Sequence, residues 1–138
     1  MAGFVEPMAF EPLVTQLKSG DKPQHDEFAV ISDLSLQEAT SLTQQLAGVN
    51  PEMLREFVLN LITIASDDVG MDFTEVFIAF IYHEDAIIRS LAVSGLWEYE
   101  RPELIADFTR MIKHDESDMV RTSVAIALGR FAMLGVNG

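Results

Sequence analysis

A two-residue step recurs in the second half of the chain. Leu54-Arg55, Ile88-Arg89 and Val120-Arg121 lie 34 and then 32 residues apart, and the residues after each pair match in character. Repetition at this period marks stacked helical hairpins. One hairpin cannot bury its apolar side alone, so neighbouring hairpins bury it together. The period predicts an all-α chain wound as a right-handed alpha-alpha superhelix.

The intervening sequence divides accordingly. Residues 1–34 read as an irregular helical cap, 35–134 as three helical hairpins and 135–138 as a tail. Phe10, Leu13, Val14 and Leu17 have helical spacing, and Gly20 and Pro23 end that segment. His25 to Leu34 reads as a short helix through Phe28, Ile31 and Leu34. Ser35 and Glu38 have capping-box spacing ahead of a stripe formed by Leu36, Ala39, Leu42 and Leu46. Gly48 and Asn50-Pro51 close that helix, and Pro51 suits the first turn of the next. The spacing predicts an inner helix over 51–65, with Met53, Leu54, Phe57, Val58, Leu61 and Ile62 inward.

Residues 71–82 are rich in β-branched and aromatic residues. Their length and the surrounding repeats favour a buried helix over a strand. A second inner helix is expected over 84–98, an outer helix after Arg101-Pro102, and a third inner helix over 116–133. Ala92, Gly95 and Ala127 are small enough to let facing helices approach closely.

The order Asp85-Ala-Ile-Ile-Arg89-Ser-Leu-Ala92-Val-Ser-Gly-Leu96, echoed by Asp118-Met-Val120-Arg121-Thr-Ser-Val124-Ala-Ile-Ala-Leu128-Gly129, resembles HEAT repeats of the phycobilin-lyase-related type. The likeness covers residues 35–134, is weaker over Pro51–Ile64, and does not extend to residues 1–34. It implies a solenoid. Most members of the family serve as protein-binding or assembly surfaces, while a minority are enzymes or bind nucleic acid; architecture alone does not assign the task.

Charge narrows the choice of partner. The chain carries 22 acids against 9 lysines and arginines, a formal net charge of −13. Such a field repels phosphate backbones and anionic membranes and favours a neutral or basic protein partner. The chain has no cysteine, so disulfide, thiol and sulfur-ligated zinc chemistry are excluded. No apolar run approaches a bilayer-spanning length and the N-terminus does not read as a secretory signal, so a cytoplasmic protein is expected.

Arg55, Arg89 and Arg121 read first as structural inter-repeat arginines, with Asp67 or Asp68, Asp85 and Asp118 as partners; a site for an acidic ligand is the rival reading. His83-Glu84-Asp85 and His114-Asp115-Glu116 recur near turns, and cap or turn roles are favoured there over a metal. Neither an HExxH pair nor a nucleophile–base constellation occurs, so no catalytic, metal or cofactor site is assigned. Glu52, Glu56, Ser90, Val93, Trp97 and Thr122 form the expected protein-binding set, Trp97 because aromatic residues anchor interfaces.

The last helix brings an apolar face to the end of the pile. Three expectations follow for it: continuation in a longer repeat protein, end-to-end dimerisation through the C-terminal repeat, or cover by the tail. The functional expectation is a noncatalytic interaction scaffold. The alternative is an enzyme or accessory lyase acting on a protein-bound chromophore or modified side chain, and it comes only from the family likeness.

Overall fold

The computed structural model describes residues 9–96 and 101–133, and no strand occurs among them. The helices are α1 (Glu11–Lys18), α2 (Leu36–Gln45), α3 (Pro51–Asp67), α4 (Thr74–Phe80), α5 (Ala86–Gly95), α6 (Leu104–His114) and α7 (Asp118–Met133). Two 3-10 segments, His25–Ile31 and Leu46–Gly48, complete the set. The fold is all-α.

Helix starts follow their local chemistry. Ser35 Oγ accepts from the Glu38 amide at 3.1 Å, and Glu38 Oε1 accepts from the Ser35 amide at 3.0 Å. That reciprocal pair satisfies two amides that otherwise lack a partner at the start of α2. Asn50 Oδ1 accepts from the Glu52 and Met53 amides, and Pro51 occupies the first turn of α3. Asp85 caps α5 through the Ile88 amide, and Ser117 caps α7 through the Val120 amide.

Two rows of contacts organise the helices. α3 packs on α5 and α5 packs on α7; α4 packs on α2 and α5, and α6 packs on α7. One apolar core runs through all of them, with Phe57, Phe73, Phe77, Phe80 and Phe108 fully buried. Dense interiors of this kind are sensitive to single methylene changes. At Gly95 an added Cβ would stand 2.7 Å from Cε1 and Cζ of Phe77. Glycine at the end of α5 is therefore what lets the Phe77 ring lie against that helix.

The N-terminal segment does more than close one end. Phe28 stacks on Phe57 with ring centroids 5.5 Å apart, and Lys22 pairs with Glu56 at 2.9 Å. The Asp33 amide donates to the Asp72 carbonyl, and the Asp72 amide donates to Ser32 Oγ, both at 2.8 Å. Asp33 adopts a φ of 60°, a region where aspartate is among the less penalised non-glycine residues. Residues before Ser35 thus run along α3 and are latched to the α3–α4 loop.

Four expectations change on packing. Leu36, placed in the buried stripe of α2, is 49% exposed; it lies at the first helical position, on the face shared with Thr40 and Thr43. Ile87 and Met119, which precede Ile88-Arg89 and Val120-Arg121 as the inward Met53 precedes Leu54-Arg55, are exposed, whereas Val93, expected at a binding surface, is fully buried. A helix with neighbours on several sides buries a wider arc than one stripe, and α5 touches α3, α4 and α7. On α7 Val120, Val124, Ala127 and Phe131, at the three- and four-residue steps of an inner face, are buried, and Phe131 meets Phe108 at 6.0 Å. A second apolar line, Met119, Ile126 and Met133, lies in solvent on the same helix.

Candidate functional site

The arginines repeat a geometry. Arg55 Nη2 donates to Asp85 Oδ2 at 2.6 Å, with Nε donating to the same carboxylate. Arg89 donates through Nε and Nη2 to the two oxygens of Asp115, each at 2.9 Å. In both cases the guanidinium of one inner helix grips the turn before the next inner helix. Bidentate arginine–carboxylate pairing fixes orientation as well as distance. Arg121, on the last inner helix, pairs with Asp118 in its own first turn. Asp118 therefore belongs to Arg121, and the partner of Arg89 is Asp115, which the expected set omitted. Asp68 faces His25 instead.

The turns themselves are equivalent. Arg89 Nη1 donates to the His83 carbonyl and Arg121 Nη1 donates to the Asp115 carbonyl, each six residues back. The Asp85 amide donates to His83 Nδ1 at 3.0 Å, just as the Ser117 amide donates to Asp115 Oδ1 at 2.9 Å. His83 thus corresponds to Asp115, not to His114. The two acidic-histidine triplets are offset by one residue, and their apparent pairing dissolves. Among the described residues no group of three or more histidines and carboxylates is arranged to hold a metal ion.

These contacts carry a pH signature. Burial pushes the His83 imidazole below its ordinary value of 6.5, outweighing the nearby Asp85 and Glu84 charges. The Arg55 hydrogen bond holds the Asp85 carboxyl below the usual range. Burial raises Asp115, but the Arg89 and Ser117 hydrogen bonds outweigh it and leave that carboxyl low as well. A histidine depressed in the folded state contributes stability that is complete above its unfolded value and lost as pH falls through the folded one. The melting temperature should therefore begin to fall between about pH 7 and 5. His83→Asn keeps an acceptor for the Asp85 amide and removes the titration, so its thermal melts should be flatter over that window. The steeper loss near pH 4 and below, from Asp85 and Asp115, should remain. An unchanged limb between pH 7 and 5 in His83→Asn would overturn the assignment.

The expected protein-binding set does not converge on one patch. Glu52, Glu56 and Thr122 are exposed, but Glu56 is engaged by Lys22. Ser90 is buried and shares a 2.5 Å hydrogen bond with Ser123 across α5 and α7. Val93 is fully buried between helices, so neither can offer surface to a partner. Trp97 lies outside the described residues.

A concavity lies on the other row. A groove of about 640 Å³ runs over α4, between α2 and α6. Ile78, Ala79 and Tyr82 form its floor, Leu36 and Thr40 line one wall, and Leu104 the other. α4 packs on α2 and α5 while α6 packs on α7, and the groove follows the side of α4 from Glu75 to Tyr82 that faces α6. The rim is ordered by polar contacts. Arg101 donates to Glu75 at 3.0 Å and to Glu103 at 2.5 Å. Tyr82 Oη donates to Asp107 at 2.8 Å, and the Arg110 guanidinium lies 5.4 Å from the Tyr82 ring centre. The sequence signals for this site were the exposed leucine at the start of α2 and an outer helix apolar on nearly every side. Both read as core until the placement of the neighbouring helices is known.

Comparison with protein-family models, with curated proteins and with solved structures gives no match. Among the described residues no helix is long and apolar enough to cross a membrane.

Proposed function

We propose that this chain is a noncatalytic protein-binding or assembly scaffold of the HEAT-repeat type, its residues 35–134 forming three hairpins stacked in a right-handed superhelix. The succession of α3 on α5 on α7 supports that architecture, as do the matched turns gripped by Arg89 and Arg121. The observation that carries the binding function is the α2–α4–α6 groove. It presents an apolar floor inside a rim of ordered polar side chains, the layout of a recognition surface. A cytoplasmic setting and a neutral or basic protein partner fit the acid excess.

Cross-linking of the full chain in cells, followed by affinity purification, tests the reading. A reproducible protein partner with cross-links on α2, α4 or α6 is expected. Turnover of a small molecule by the purified chain, with no reproducible partner, would reverse it in favour of an enzyme.

A further inference from the structure

We infer that the α2–α4–α6 groove receives an amphipathic helix of a partner protein, carrying a two-turn apolar stripe flanked by lysine or arginine. The inference rests on the scaffold reading and specifies its site and ligand chemistry.

Geometry selects the shape. On α2 the groove residues Leu36, Thr40 and Gln44 follow a four-residue step, and Glu75 and Ala79 on α4, with Tyr82 just beyond its end, follow steps of four and then three. The channel over α4 between the α2 and α6 ridges suits a further helix, whose side chains would interlock with the ridges at i, i+3 or i+4, and i+7. Leu36, half exposed at the mouth, and Ala79 and the exposed Tyr82 ring along the floor supply apolar contact for such a stripe.

Charge selects the flanks. The lining holds three carboxylates, Glu75, Glu103 and Asp107; Arg101 pairs with the first two and Arg110, from outside the lining, with Asp107 at 3.1 Å, which leaves an acidic balance of one. His83, also in the lining, has its pKa lowered by burial, which favours its neutral form. Beyond the groove the whole chain carries −13. A cationic helix is attracted on approach and meets oriented carboxylates on docking, whereas an acidic helix meets repulsion at both stages. A second copy of this strongly acidic chain is disfavoured for the same reason.

The test uses the full chain and two designed 18-residue helical peptides. Both carry the same leucine stripe, one with lysine flanks and one with glutamate flanks. Fluorescence anisotropy should show saturable binding of the lysine peptide and at least tenfold weaker binding of the glutamate peptide. Ala79→Trp, which fills the floor, should weaken the lysine peptide at least tenfold. Leu36→Lys at the exposed mouth should do likewise, and it covers the case in which the tryptophan disturbs folding. Ile126→Ser on α7 should leave binding unchanged. No saturable binding, equal affinity for the two peptides, or loss in Ile126→Ser with none in the groove variants would each overturn the inference. Partner capture that survives both groove variants would also overturn it while leaving the scaffold reading intact. Specific peptide binding without any cellular partner would support the groove and defeat the scaffold reading.

Discussion

Arg89→Ala should destabilise the protein by about 3 kcal/mol, because removing one member of a buried ion pair leaves the other charge without compensation. The side chains of Arg89 and Asp115 are only 11% and 8% exposed. The same substitution strips hydrogen bonds from the His83 and Glu84 carbonyls. For a domain of this size the loss corresponds to a fall of roughly 10 °C in melting temperature. Asp115→Asn removes the charge but keeps an acceptor for the Ser117 amide. The double variant Arg89→Ala/Asp115→Asn should therefore be more stable than the sum of the single effects requires, as expected for coupled neighbours. Arg55→Ala should cost less, since Arg55 is more open to solvent, and Arg121→Ala least, since Asp118 is almost fully exposed. Additive single and double effects at 89 and 115, or an inverted order among the three arginines, would refute the graded arrangement.

Gly95→Ala should destabilise the chain by about 2 kcal/mol, against the usual preference for alanine over glycine in helices. Propensity alone favours alanine by roughly 1 kcal/mol. Here the new methyl would press on the Phe77 ring, which is fully buried and has no open side into which to retreat. Overpacking of a dense interior commonly costs about 1–3 kcal/mol. Phe77→Leu removes the ring edge that the methyl would strike. Chemical denaturation of Gly95→Ala/Phe77→Leu should show a smaller loss than the two singles combined. A Gly95→Ala protein as stable as the parent would show that α4 and α5 can part without penalty.

Much of the helical order was legible from periodicity and caps. The Ser35–Glu38 pair, Pro51 after Asn50 and the small residue at 95 each state a local rule that tertiary packing leaves in force. Periodicity also located the core of α7, since Val120, Val124, Ala127 and Phe131 repeat at three- and four-residue steps. It failed at Val93 and Leu36 for one reason. A stripe gives the direction in which a helix faces its main neighbour but not how many neighbours surround it, so the middle helix buries more than its stripe and the first turn of α2 buries less. The arginine ladder shows a similar limit. Charge and spacing nominated the arginines together with Asp85 and Asp118, but finding Asp115 required knowing that the Arg89 side chain spans to the turn before the next inner helix. The groove was least visible, because it depends on how α2, α4 and α6 are placed against one another rather than on any residue pattern within one helix.

The line of Met119, Ile126 and Met133 on α7 makes colloidal behaviour hostage to electrostatics. At neutral pH, mutual repulsion between molecules of charge −13 opposes contact between these greasy strips. Toward the isoelectric point near 4.4 the repulsion fades, and below it the carboxylates of Asp85 and Asp115 begin to release their arginines. Acid thus loosens the molecule from within over nearly the same range in which it removes the barrier between molecules, so clumping and unfolding should set in together rather than in sequence.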